Sequence, residues 1–212
     1  MLKLYFIVIK NNLKQLKLHI IVAAMFLALI PAFSSTRYLN ENEVTYLAEH
    51  FICLIGIILL VPVFLAEEYT DIKELLLSKK IPLTLIWLQR ILLQVILLAI
   101  MIGIDLKVYQ LNLDVFSYGR MYDIAFANAI FLGGMGILAY SIFHQWIVGY
   151  MLPLCYYMLS LLWKDNWIVK TLSLFSTRNH SLLAKHYLLM AGIACIIVGL
   201  VFLEKTKRVI RE

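Results

Sequence analysis

The sequence predicts an all-α, polytopic membrane protein with six transmembrane helices, and three observations predict it. Of its 212 residues, 63% are hydrophobic and 15% charged, whereas soluble domains run near ~45–50% and ~25%. The mean hydropathy of +0.87 is too high for a surface that faces water. Apolar runs recur six times at roughly the 20-residue length that crosses the hydrocarbon core of a bilayer. The longest polar stretch, 164–186, is too short for a nucleotide-binding fold or a separate catalytic domain of ~100 residues. Residues 1–212 therefore read as a single transmembrane domain.

Residues 1–17 predict an amphipathic interfacial helix. Leu2, Phe6, Ile9, Leu13 and Leu16 form one stripe at helical spacing, flanked by Lys3, Lys10, Lys14 and Lys17. Such a helix lies with its apolar face in lipid and its ammonium groups near phosphates. The same lysines, with no small-residue cleavage site soon after, argue against a cleavable signal. The spans are expected at 18–33, 45–66, 83–104, 123–143, 146–163 and 187–203. Loops are expected at 34–44 and 105–122, with only His144 and Gln145 between spans four and five. The 164–186 connection is too apolar for a free loop, with Trp167, Leu172, Leu174, Phe175, Leu182 and Leu183. It is too interrupted by Lys170, Arg178 and His180 to span. It predicts short re-entrant or interfacial helices on the outer face.

Basic residues exceed acidic ones by 19 to 13, a net charge of +6. They sit beside the spans, which points to topology and lipid contact and away from nucleic acid. With both termini cytoplasmic, eleven Lys and Arg fall inside: four at the N-terminus, Lys73, Lys79, Lys80, Lys205, Lys207, Arg208 and Arg211. Seven fall outside: Arg37, Lys107, Arg120, Lys164, Lys170, Arg178 and Lys185. The bias follows the positive-inside rule and predicts a multi-pass protein of the cell membrane.

Chemistry-bearing residues are sparse. No Gly-rich loop precedes a Lys-Ser/Thr pair, so no nucleotide site is expected on this chain. Cys53, Cys155 and Cys195 lie in apolar runs without paired spacing, and neither a disulfide nor a metal site is expected. Glu49 and His50 in span two, with Gln89 and Arg90 in span three, are candidate pathway residues, because ionisable groups at membrane depth mark function. The plainer reading is that Glu49 and His50 reach water or headgroups and that Arg90 snorkels to the inner surface. Asn128 is expected to hydrogen-bond a neighbouring helix. Ala125, Ala129 and Gly133 repeat every fourth residue, a small-residue stripe that lets another helix approach closely. Cys53 and His50, three apart on a helix, lie on neighbouring faces, but a Cys peptidase pair is disfavoured because bacterial signal-peptide processors of that type use a wider His-to-Cys spacing. A glutamate-type membrane protease is disfavoured too, because Ile72 stands where its motif needs Arg.

Residues 67–82 read Glu-Glu-Tyr-Thr-Asp-Ile-Lys-Glu-Leu-Leu-Leu-Ser-Lys-Lys-Ile-Pro. As a short helix, Ile72, Leu75 and Leu76 share one face while Lys73, Glu74, Lys79 and Lys80 project elsewhere. An interfacial helix on lipid is the alternative to docking on a soluble partner. Here the sequence resembles the permease subunits of ABC transporters of the type 2 exporter family, whose loop between spans two and three carries acidic residues, Glu-Leu-Leu-Leu-Ser and a Pro. Glu67, Glu68, Glu74, Leu75, Leu76, Leu77 and Ser78 match, while Asp71 replaces a Gly and Pro82 falls later.

The resemblance implies six spans and an ATPase-coupling role for Glu67, Glu68 and Ile72–Ser78. It also implies a second permease subunit and separate ATP-binding cassette subunits that use ATP and Mg. The chain itself would bind no cofactor and would not be an enzyme. Members of that family handle peptides, antibiotics, lipids or glycans, and the compact size, without a large outer domain, favours an amphipathic peptide or antibiotic over a polymer. The competing class is a non-transporting membrane scaffold or immunity protein.

Overall fold

The computed structural model describes residues 17–31, 41–67, 83–112, 117–162, 174–175 and 182–209, and every regular element among them is helical. Helix α1 is Lys17–Pro31. The second segment is broken into α2 (Glu41–His50), a 3-10 turn (Ile52–Leu54), α3 (Ile55–Leu60) and a 3-10 stretch (Val61–Glu67). Then come α4 (Leu83–Asn112), α5 (Tyr118–Phe143), α6 (Trp146–Leu162) and α7 (Leu182–Val209). Four segments are long and apolar enough to cross a membrane: Glu43–Phe64, Ile86–Gln110, Tyr118–Phe143 and Lys185–Lys205. Helices α1 and α6 are shorter apolar helices. The chain is thus an all-helical protein with the composition and helix lengths of a membrane protein.

Two segments form the centre. The second segment and α5 are 78% and 72% buried over their apolar windows, against 33% for α4 and 22% for α7. Close approach to α5 is set by glycines that each meet a different neighbour. A Cβ on Gly56 would strike the Ala129 carbonyl, and one on Gly133 would meet the Leu60 side chain and the Gly56 oxygen. Gly134 faces Gly192 of α7, and Gly136 faces Val61 and Gly149 of α6. Without side chains at these points, backbones pack where Leu or Ile would hold them apart.

These contacts also fix helix direction. Gly56 lies against Ala129 and Leu60 against Gly133, so the second segment and α5 run parallel. Gly192 lies against Phe131 and Gly199 against Leu138, so α7 runs the same way. Tyr118 and Tyr122 donate to the Gly103 and Ala99 carbonyls, which sets α4 antiparallel to α5. Phe131 against Tyr156 and Gly136 against Gly149 set α6 antiparallel as well. Successive segments from α2 to α7 therefore alternate in direction. One end of the bundle holds Glu67, Leu83, the His144–Gln145 turn and Val209. The other holds Glu41, Asn112, Tyr118, Leu162 and Leu182.

Three expectations are corrected. The 105–122 loop is mostly helix: α4 runs on to Asn112 because Leu106 and Tyr109 continue its buried stripe at 0% exposure. Arg120 belongs to α5. Residues 182–186 begin α7 and are not part of the outer connection. The second span is not one continuous helix. Pro62 lacks an N–H and its ring crowds the carbonyl one turn back, which favours the tighter winding from Val61. The 1–16, 68–82 and most of the 163–181 expectations lie outside the described residues, and Lys17 opens α1.

Helix α4 shows how the bundle is turned inside out relative to a soluble one. Leu88, Leu92, Ile96, Ile100, Ile104 and Val108 form its exposed stripe, all aliphatic. Its buried stripe carries Trp87, Arg90, Gln94, Leu98, Asp105 and Tyr109. Polar groups inward and aliphatic groups outward is the arrangement lipid selects.

Candidate functional site

The break in the second segment builds a polar cluster at the end of the bundle that holds Glu41 and Leu182. At the break, the Leu54 N–H bonds the Phe51 carbonyl, a three-residue step in place of four. That step frees the His50 carbonyl from its regular helical partner, and the Tyr157 hydroxyl donates to it at 2.9 Å. One residue earlier, the Cys53 thiol donates to the Glu49 carbonyl at 2.8 Å. Backbone groups freed by a helix break inside an apolar bundle need such partners, because no water is there to supply them.

The broken helix aims Glu49 inward. Its Oε1 lies 3.0 Å from Lys185 Nζ of α7, with side chains 1% and 5% exposed. Lys185 Nζ also donates to the Leu174 carbonyl at 2.7 Å and to Asn128 Oδ1 at 3.3 Å. Asn128 completes the ring by donating through Nδ2 to the same Leu174 carbonyl at 2.9 Å. An ammonium has three N–H donors, and here they meet a carboxylate, an amide oxygen and a backbone carbonyl. The buried charge is thereby both paired and hydrogen-bonded, the condition for tolerating it in a low-dielectric interior.

An aromatic layer closes over this cluster. The His50 ring stacks between Tyr46 and Phe175, with centroids 3.9 and 4.0 Å away. Phe175 meets Tyr157 edge-on at 5.6 Å. Residues 174–175 are thus held by Lys185 and Asn128 through backbone and by His50 and Tyr157 through rings.

Glu49 and His50, candidate pathway residues by sequence, come together here, but neither reaches water: they are 1% and 6% exposed. Arg90 and Gln89 lie elsewhere. Arg90 is 6% exposed and does not snorkel. Its guanidinium points at the Val63 carbonyl, 3.5 Å away, beside the Phe64–Trp87 edge contact. Gln89 is half-buried. Ala125, Ala129 and Gly133 are all buried in α5, with Ala129 and Gly133 against the second segment. Glu67 ends the 3-10 stretch, and Glu68, Ile72, Glu74, Leu75, Leu76, Leu77 and Ser78 lie outside the described residues.

Lys185 is the residue the sequence reading missed. By sequence alone it falls among the outer-loop charges, because the sixth apolar run is expected to begin at Tyr187. The signal was Leu182-Leu183-Ala184 just before it, which extends the apolar helix and draws the lysine inside. Gln94 and Asp105 were missed too, and both fall on the buried stripe of α4.

Chemically, the cluster is a clamp. The Cys53 thiol is turned to the Glu49 carbonyl and His50 Nδ1 lies 3.0 Å from the Tyr46 carbonyl, so these contacts build no thiol–imidazole dyad. Among the described residues, no three His, Cys, Asp or Glu side chains gather as metal ligands. Comparison with known protein families, curated proteins and solved structures finds no match for this chain.

Proposed function

We propose that the chain is the membrane-spanning permease subunit of an ATP-driven exporter. It has six crossings and cytoplasmic termini and forms the translocation pathway with a second permease subunit. Separate ATP-binding cassette subunits dock on residues 67–82. The loop sequence, with its Glu-Leu-Leu-Leu-Ser run, is the origin of this reading. One structural observation carries it further. The two helices that flank the loop in sequence touch near the ends that lead into it, with Arg90 Nη1 3.5 Å from the Val63 carbonyl and Phe64 edge-on to Trp87 at 6.2 Å. In this reading a push on the loop is felt by both helices. The Glu49–Lys185 clamp sits at the opposite end of the bundle, where an outward gate belongs. The cargo in this reading is an amphipathic peptide or antibiotic.

The test is copurification of the full-length protein with its ATPase. Interface energy concentrates in a few buried apolar anchors, each costing ~2 kcal/mol or more on truncation. Leu75→Asp with Leu76→Asp is expected to release the ATPase, while Arg90→Ala, inside the bundle, leaves it bound. If no nucleotide-binding subunit accompanies the wild-type chain, the scaffold or immunity reading replaces this one. Retention of the ATPase by the double variant removes the loop as the coupling element.

A further inference from the structure

Helix α4 carries two buried polar side chains with unmet hydrogen-bonding capacity. Gln94 is 0% exposed, and both its Nε2 and Oε1 lack a hydrogen-bond partner among the described residues. Asp105 is 6% exposed and its Oδ2 is likewise without one. The two are eleven residues apart, three helical turns, so they share one face at a separation of about 16 Å along the axis. Between them that face is apolar, with Leu98 and Ile102 fully buried.

Lipid and protein interior alike penalise such groups, because nothing replaces the water they lose. The clamp at Lys185 shows that this fold satisfies buried polar groups where they serve packing. Along α4 it leaves a carboxamide whose NH2 donors and carbonyl acceptor are both unmet, and an acidic side chain able to accept from a cation. Those capacities are matched by a ligand, which recovers on binding what the closed bundle leaves unmade.

We infer that the buried face of α4 from Gln94 to Asp105 binds the cargo, and that the cargo is a cationic amphipathic peptide. This rests on the transport reading above and narrows its substrate class. Gln94 pairs with a main-chain amide of the peptide. Asp105 accepts from an ammonium or guanidinium about five extended residues away, at ~3.3 Å per residue. The apolar surface at Leu98 and Ile102 takes the aliphatic side chains between. The face is shut in this structure, so binding requires α4 to part from the helices that cover it.

The experiment measures binding of a fluorescein-labelled peptide of alternating Lys and Leu blocks to the full-length chain in phosphatidylcholine nanodiscs, with empty nanodiscs subtracted. The same peptide with every Lys replaced by Glu is the counterpart probe. Wild type is expected to bind the cationic peptide about tenfold more tightly, a difference of about 1.4 kcal/mol. Asp105→Asn is expected to abolish that preference and Asp105→Glu to keep it. Gln94→Leu is expected to weaken both peptides alike while its melting temperature holds or rises, because it removes two unpaired groups. A purely structural Gln94 would give the stability change with binding untouched, and that result overturns the inference. So does a wild type that binds both peptides equally, or an Asp105→Asn variant that still prefers the cationic one. No ATPase is present in this assay. Selective binding without a copurifying ATPase would remove the exporter reading and leave the binding face, and the reverse result would remove only the binding face.

Discussion

Lys185 of the last helix and Glu49 of the broken second segment form an ion pair 3.0 Å long, sealed from solvent on both sides. Each also serves another part of the chain. The lysine holds the Leu174 carbonyl, and the glutamate's own carbonyl takes the Cys53 thiol. The pair therefore couples a helix break to the connection that precedes α7, and changes to either partner should be felt at both.

Removing one partner strands the other charge in the interior, which typically costs about 3–5 kcal/mol. Lys185→Met and Glu49→Gln are each expected to destabilise the protein to a large fraction of that amount. The double variant should lose clearly less than the sum of the two, since no unpaired charge then remains. Thermal unfolding in detergent completes the cycle. Additive losses would show that the two side chains do not interact.

Tyr157→Phe probes the break itself. The phenol is the donor to the His50 carbonyl that the 3-10 step frees. Its loss should cost about 1 kcal/mol, the usual net worth of such a bond in either solvent. Amide exchange at Phe51–Leu54 should quicken while that in α7 stays unchanged. Unchanged exchange at the break would mean that the carbonyl finds another donor.

What the sequence made legible follows from what hydropathy measures. The six apolar runs correspond to six helical segments among the described residues, and their order and rough limits are readable because an apolar helix of membrane-spanning length needs only length and apolar content. The helix break after His50 was not readable, since Phe51-Ile-Cys-Leu carries neither Gly nor Pro. Tyr157, 107 residues away, is what supports it. Asp105 reads as the start of a loop because a charge ordinarily ends a span, yet Leu106 and Tyr109 carry the buried stripe past it. Glu49 and His50 stood out as ionisable residues at depth, but their partner Lys185 lies in a different helix, and periodicity cannot report such a pairing.

The glycines separate contact from propensity. A methyl group at Gly56 would run into the Ala129 backbone, while one at Gly119 would meet nothing within 4 Å. Gly56→Ala is therefore expected to cost about 1–3 kcal/mol, in the range of overpacked cores. Gly119→Ala, in the first turn of α5, should be neutral or stabilise by up to about 1 kcal/mol. Gly133→Leu should go further and impair folding or assembly, since it would meet both Leu60 and the Gly56 carbonyl. Equal effects of the two alanine variants would show that the close contact at Gly56 is absent.

The alternation of helix direction makes a prediction about the membrane. Asn112 ends α4 at the end of the bundle that holds Glu41 and Tyr118, whereas Glu67 and Leu83, which flank Ser78, lie at the opposite end. Ser35 stands six residues before Glu41 in the sequence and is expected on the same side of the membrane as Glu41. If the bundle crosses a bilayer with its Lys- and Arg-rich end inside, the two groups face different compartments. Cys155 is exposed on the bundle and Cys195 half-exposed, while Cys53 is buried, so the native thiols are first replaced by serine. In sealed cells, a membrane-impermeant maleimide should then label Ser35→Cys and Asn112→Cys. Ser78→Cys should react only after the cells are opened. Labelling of Ser78→Cys in intact cells, with Asn112→Cys protected, would invert the orientation. It would place residues 67–82 where no cytoplasmic ATPase could reach them. Labelling of all three from outside would mean that the segment between α3 and α4 does not lie across the bilayer from Asn112, and the alternating topology itself would fall.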